Sequence, residues 1–106
     1  MKIPADSIIP REKLTQYLLA HRAKSDKSQY LAQVGFTQAD PEALQVAIRQ
    51  LAAASEAVVD RQDVYGMYLL AAGELHGPRG TLSVVTVWIV QAVDGVCRFV
   101  TLKPAR

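Results

Sequence analysis

The chain has 106 residues, half of them hydrophobic, and a formal net charge of +2. This length excludes two ordinary domains, so we expect one domain over residues 1–106, and the hydrophobic fraction excludes disorder. A dedicated nucleic-acid surface is normally more basic, and the apolar run 82–90 is too short to cross a bilayer as a helix. The first residues hold no stretch typical of a signal peptide, and the single cysteine, Cys97, favours a reducing compartment. We therefore expect a cytoplasmic protein with no membrane contact.

The first part of the chain predicts two helices after an extended lead-in over residues 1–9. Pro10 suits the first turn of a helix because its missing N–H costs nothing there. An apolar stripe follows at helical spacing: Leu14, Tyr17, Leu18 and His21. A short second helix should carry Tyr30, Leu31 and Val34, and Gly35 is typical of a helix end.

A third helix is predicted from Asp40-Pro41-Glu42. Asp40 can cap free N–H groups, Pro41 suits the first helical position, and Glu42 complements the helix dipole. The buried stripe of this helix should be Leu44, Ala47, Ile48 and Leu51. Residues 57–59 fit either a short strand or part of the connection.

The remainder predicts an antiparallel meander built from the segments 65–75, 81–92 and 96–103. The loop 76–80 separates the first two segments, and Asp94-Gly95 is typical of a two-residue type I′ turn between the last two. The predicted fold is α+β, with about three N-terminal helices packed on one face of a three- or four-stranded antiparallel sheet.

These turns imply a register and therefore two faces of the sheet. Trp88 would oppose Tyr68 on one side and Thr101 on the other, although a one-residue slip would exchange the faces. The aliphatic face is predicted to be the core and carries Met67, Leu69, Ala71, Val85, Val87, Ile89, Val100 and Leu102. The other face carries Tyr68, Leu70, Glu74, Thr86, Trp88, Val90, Phe99, Thr101 and Lys103.

The mixed aromatic and hydroxyl face is the predicted binding surface, with Tyr68, Trp88, Phe99 and Thr101 as candidate binding residues. Tryptophan and tyrosine combine a large apolar area with a hydrogen-bonding tip, and both are enriched where proteins bind partners. A foreign protein or a second copy of the chain is the expected partner, and RNA is a further candidate. Alternatively, the N-terminal segment covers this face.

Several segments, taken in order, resemble an uncharacterised bacterial family of domains of unknown function. They are Lys13-Leu14, Tyr17-Leu18-Leu19, Gly35-Phe36-Thr37, Tyr65-Gly66 with Tyr68, Leu75–Gly80, Thr86–Ile89 and Arg98–Thr101. Members of the family occur as small proteins and at the ends of larger toxin-like proteins. The order of helices and meander is also similar to barnase-, colicin- and RelE-type ribonucleases, which implies a fold but fixes no function.

A ribonuclease that works without metal needs an acid, a base and cations for the phosphate. The candidate catalytic residues are His21, His76, Glu74 and Lys103, although a surface histidine in a loop or at a helix end needs no catalytic role. Two widely spaced histidines and one cysteine form no zinc pattern, and the chain has no P-loop, so we expect no metal and no cofactor.

Three functions follow from these observations. The first is a binding module that acts through the open face of its sheet, as a monomer or a dimer. The second is a toxin-type ribonuclease, intact or decayed. The third is an immunity- or antitoxin-type partner protein. An enzyme needs a titratable group and a cation in one cleft, whereas a binding module needs a broad apolar patch with a polar rim.

Overall fold

The computed structural model describes residues 1–18 and 28–105, and its fold is α+β. Four strands form one antiparallel sheet in the order β1-β2-β3-β4. Their bounds are β1 Ala57–Asp63, β2 Gly66–Gly77, β3 Gly80–Gln91 and β4 Cys97–Pro104. The predicted α+β class and antiparallel meander are confirmed, and residues 57–59 belong to a strand.

The helical segments are a π-helical stretch Lys13–Leu18, α1 Ser28–Ala32 and α2 Pro41–Ala54. In the described ranges α2 is the only one longer than six residues. It begins with Pro41 at a first-turn position, as predicted, but Asp40 makes no side-chain cap bond. The predicted cap is wrong because Asp40 has ψ of 72°, outside the β region in which a cap residue reaches back to the helix.

The core lies between α2 and the inner face of the sheet. The predicted stripe of α2 is buried there, and it shares one apolar cluster with the strands and with the segments that precede α2. This cluster includes Leu44, Ile48, Leu51, Leu14, Leu18, Leu31, Phe36, Leu69, Ala71, Val84, Trp88, Phe99 and Leu102.

Residues 1–9 form an N-terminal strap that joins the two outer strands of the sheet. The carbonyl of Met1 accepts a hydrogen bond from Ala57 N at 2.6 Å, at the start of β1. Ile8 N donates to Cys97 O at 2.9 Å, and Ile8 O accepts from Phe99 N at 2.8 Å, so the strap also pairs with β4. Part of the lead-in belongs to the sheet, but contrary to the prediction it is not extended throughout, because Ser7 N donates to Pro4 O at 3.1 Å and closes a turn.

The β2–β3 hairpin is tighter than predicted. Gly77 pairs with Gly80, which leaves Pro78-Arg79 as a two-residue turn, and Arg79 N donates to Val34 O at 2.8 Å. A side chain at Gly77 would place its Cβ 2.4 Å from the same Val34 oxygen, so only glycine allows this close approach. The register moves by one residue from the prediction, and Leu69, not Tyr68, opposes Trp88.

The β3–β4 connection is longer than predicted and occupies residues 92–96. Gln91 N donates to Val96 O at 3.1 Å, and Gly95 N donates to Gln91 O at 2.7 Å. Asp94 explains the longer loop, because its Oδ1 accepts a hydrogen bond from Val96 N at 2.9 Å instead of sitting in a two-residue turn. The predicted type I′ turn and the pairing of Trp88 with Thr101 are therefore wrong.

The altered register reverses the faces of β3. Trp88 pairs with Phe99, and an irregularity beside it sets Val87 opposite Thr101. The inner face of β3 carries Val84, Thr86, Trp88 and Val90, and the outer face carries Val85, Val87 and Ile89. The predicted core positions Val85, Val87, Ile89 and Val100 lie outside the core cluster, while Leu69, Ala71 and Leu102 lie within it as predicted.

Two neighbouring valines test this assignment of the faces. Val84 is fully buried and Val85 is half-buried on the opposite face, so the same substitution should have unequal effects. We expect Val84→Ala to lower the free energy of unfolding by about 2 kcal/mol and Val85→Ala by about half of that or less. Urea denaturation of both variants measures the difference. A larger loss for Val85→Ala would contradict the register.

Candidate functional site

Two of the four predicted binding residues are buried. Trp88 and Phe99 are 1% and 2% exposed, and their rings meet edge to face with centroids 5.4 Å apart. The indole N–H of Trp88 donates to Thr86 Oγ1 at 2.8 Å, and the Thr86 hydroxyl donates to Ala71 O at 2.7 Å. The predicted place of Trp88 and Phe99 on an open face is therefore wrong, because both rings stabilise the core.

The Thr86–Trp88 hydrogen bond can be tested by a double-mutant cycle. Thr86→Val keeps the shape of the side chain but leaves the buried indole N–H without an acceptor, which should cost about 1–3 kcal/mol. In a Trp88→Phe background that donor no longer exists, so the same substitution should cost distinctly less. Denaturant melts of the four proteins give the coupling energy. Equal costs in both backgrounds would show that the hydrogen bond does not stabilise the fold.

The other two predicted binding residues, Tyr68 and Thr101, lie on the outer face. Tyr68 is half-buried beside its cross-strand neighbour Ile89, and the guanidinium of Arg61 lies 4.0 Å from the centre of its ring. Thr101 opposes Val87. The structure therefore keeps these two predicted residues on one surface, with β3 between them.

An apolar patch occupies the middle of this outer face. We call the whole surface the open face; its apolar members are Val58, Tyr68, Leu70, Val85, Val87, Ile89 and Val100. Ile89 is only 7% exposed although it lies outside the core cluster; Tyr68 and Arg98 flank it in the sheet, and Pro10 and Lys13 line the same groove. Its neighbours Leu70, Val87 and Val100 remain partly exposed.

Charged groups form the rim of the open face, and most of them are paired. Arg61 Nη1 lies 2.9 Å from Asp63 Oδ2, and Arg98 Nη2 lies 3.2 Å from Asp94 Oδ2. Arg98 Nη1 also donates a hydrogen bond to Gln91 Oε1. A hydrogen bond from Val96 N and the nearby Arg98 lower the pKa of the Asp94 carboxyl. Each of these arginines has a carboxylate beside it, and Lys103, opposite Val85, is a further cation of this rim.

The candidate catalytic residues are only partly brought together. Glu74 and His76 line a cavity of about 580 Å³ beside the end of α2, where β2 extends beyond its last pair with β1. The ring nitrogen Nδ1 of His76 lies 3.3 Å from Thr81 Oγ1. Lys103 pairs with Val85 in the sheet and does not line this cavity, and His21 lies outside the described residues.

The lining of this cavity has no strong cation. Its members are Gln50, Leu51, Ala54, Ser55, Glu56, Ala72, Gly73, Glu74 and His76. A phosphate would therefore meet two carboxylates here and no lysine or arginine from the described residues. The hydrogen bond from the terminal amine to Glu56, together with the nearby Lys2, lowers the pKa of the Glu56 carboxyl. The arrangement offers a base and an acid but lacks the charge that stabilises a phosphoryl transition state.

Cys97 is a buried thiol, and burial raises its pKa, which disfavours a nucleophilic thiolate. Over residues 1–18 and 28–105, no three histidine, cysteine, aspartate or glutamate side chains come together as metal ligands. In the same part of the chain, no helix is long and apolar enough to cross a membrane.

The sequence reasoning missed the outward residues of β3 and the stacking of Arg61 on Tyr68. The signal for the first was present, because residues 82–90 are apolar at odd and even positions alike. That pattern is typical of a strand buried on both faces and not of one that faces water. No sequence signal marks Arg61, whose contact depends on the pairing of β1 with β2.

A model of the family described as "Domain of unknown function (DUF6883)" matches residues 4–106 of the chain. Neither the curated proteins nor the solved structures include a protein that matches the chain. The fold similarity to small ribonucleases stays a prediction.

Proposed function

The chain belongs to the DUF6883 family of domains of unknown function, and we propose that it is a protein-binding module that acts through its open face. One observation carries the proposal: β3 is apolar on both faces. An antiparallel sheet with one face in water normally alternates apolar and polar residues. Here Val85, Val87 and Ile89 point away from the core, and they form the centre of the open face.

The composition of the open face suits a protein partner. Aliphatic side chains form its centre, and Tyr68 with the stacked Arg61 adds the residue types that most often dominate binding energy at interfaces. The rim arginines are paired with carboxylates, and Lys103 opposite Val85 adds a further cation, so the surface carries little of the excess positive charge that nucleic acid requires. A partner with a complementary apolar surface would bury the patch, whether that partner is a toxin-type protein, as an immunity protein requires, or a second copy of the chain.

The resemblance to bacterial toxin-associated domains extends the proposal. We infer that the module is bacterial and works in the cytoplasm, where a reducing environment keeps Cys97 a thiol. The buried position of this thiol means that binding at the open face does not depend on it.

Substitutions of two valines on opposite sides of the molecule test whether the open face binds the partner. Val87 lies on it, whereas Val46 is an exposed residue of α2 on the other side of the molecule. Val87→Lys should weaken association with the partner at least about tenfold, since a charge would be buried at the interface, and Val46→Lys should leave it unchanged. Sedimentation velocity measures self-association of each protein. Titration calorimetry measures affinity for a foreign partner purified after capture on the wild-type domain.

The result that contradicts this proposal is equal behaviour of Val87→Lys and the wild type. If wild type and Val87→Lys show the same self-association and the same affinity for every captured partner, the open face is not the binding surface. Circular dichroism of both variants confirms that each lysine is tolerated. Val87 is half-exposed, so its replacement should leave the fold intact.

Ribonuclease activity is the second candidate, and one observation favours it: Glu74 and His76 line the same cavity. If this pair supplies the base and the acid, His76→Ala and Glu74→Gln should each lower RNA cleavage at least about 100-fold. A fluorogenic RNA substrate measures the rate, and Lys103→Gln is the control because Lys103 lies outside this cavity. Cleavage that persists in both variants, or no cleavage by the wild type, would exclude this activity.

A further inference from the structure

A separate cavity of about 440 Å³ lies on the helix side of the sheet, between the N-terminal strap and α2. Trp88 lines it from β3, and its walls are mostly apolar. The lining residues are Lys2, Ile3, Pro4, Ala5, Ser7, Arg49, Ala52, Ala53 and Trp88. The two alanines leave the space open, because longer side chains at these positions of α2 would fill it. This volume falls within the range of small-ligand pockets.

Arg49 lies at this cavity, and no ion pair within residues 1–18 and 28–105 balances its charge. Its Nη1 donates to Ser7 O at 2.9 Å and to Ala5 O at 3.4 Å, so two carbonyls of the strap hold the guanidinium in place. In the described part of the chain no carboxylate pairs with Arg49, and its Nε and Nη2 groups have no acceptor. These N–H groups form the planar fork that binds a carboxylate through two parallel hydrogen bonds.

The charges around the cavity favour a single negative charge on the ligand. None of its lining residues is acidic. The second cation, Lys2, has its Nζ 3.7 Å from Glu56, a residue outside the lining, so its charge is already partly balanced. One free guanidinium beside an apolar space matches a ligand with one carboxylate and a hydrocarbon body.

We propose that this cavity binds a small apolar monocarboxylate. The carboxylate receives hydrogen bonds from Arg49, and the hydrocarbon lies against Trp88, Ala52 and Ala53. The site is independent of the open face, since Trp88 points into the core side of β3. Failure of this proposal would leave the protein-binding proposal intact, and the reverse also holds.

The fluorescence of Trp88 measures ligand binding directly, because Trp88 is the only tryptophan in the chain and lines the cavity. Octanoate is the probe, and 1-octanol is its neutral control of equal chain length. Octanoate should change the fluorescence of Trp88 with an affinity at least about tenfold higher than that of 1-octanol. The proposal is overturned if octanoate does not bind at about 1 mM, or if 1-octanol binds equally well.

Three variants locate the binding site. Arg49→Gln should weaken octanoate binding at least about tenfold while the affinity for 1-octanol is kept, and Ala53→Phe should weaken both by filling the cavity. Arg79→Gln is the matched control, since Arg79 lies in the β2–β3 turn and does not line the cavity. Equal weakening by Arg49→Gln and Arg79→Gln would overturn the proposal.

Arg49→Gln could also release the strap, and loss of 1-octanol binding would reveal this. Arg49→Lys then decides, because it keeps the charge and can still donate to a strap carbonyl. A retained preference of this variant for octanoate over 1-octanol supports the proposal. Equal affinities for the two probes would overturn it.

Discussion

The structure depends on the burial of one indole ring together with its N–H group. A buried donor without an acceptor is costly, and Trp88 finds its acceptor in Thr86, two residues earlier on the same face of β3. With its N–H paired in this way, Trp88 can be buried on the inner face of β3 without an unsatisfied donor. Phe99 packs against the ring from β4, and the N-terminal strap and α2 close over it. The outward position of Val85, Val87 and Ile89 is the consequence.

The elements could be predicted from the sequence better than the register could. Pro41 and the stripe of Leu44, Ile48 and Leu51 predicted α2, since local chemistry determines where a helix starts and which side is buried. The register of β3 was mispredicted because a strand apolar on both sides carries no period-two signal. Hydrogen bonds that the strand pattern does not reveal determined the loops instead, one distant in sequence and the other local. Val34 O holds the β2–β3 turn, and the pairing of Asp94 with Val96 and Arg98 lengthens the next connection.

The candidate site residues were predicted correctly only where the predicted faces of the strands were correct. Tyr68 and Thr101 lie where the sequence predicted them, Tyr68 because β2 kept its predicted faces and Thr101 because an irregularity in the β3–β4 pairing offsets the change of register. Trp88 and Phe99 exchanged faces with the aliphatic residues beside them. The cavity at Arg49 could not be predicted, because two backbone carbonyls of the strap, Ala5 and Ser7, position the guanidinium, and backbone carbonyls have no sequence signature.

The N-terminal strap also bears on the order in which the chain folds. The pairs between neighbouring strands of the meander close short loops, so they can form early. The pairing of Ile8 with Cys97 and Phe99 joins the two ends of the chain and closes nearly its whole length. Closing that loop costs more conformational entropy than closing the hairpin loops of the meander. The strap is therefore expected to dock last, onto a sheet that is already assembled. Until then the ring of Trp88 stays uncovered on one side. A change in the fluorescence of Trp88 should therefore report the rate of the final step of folding.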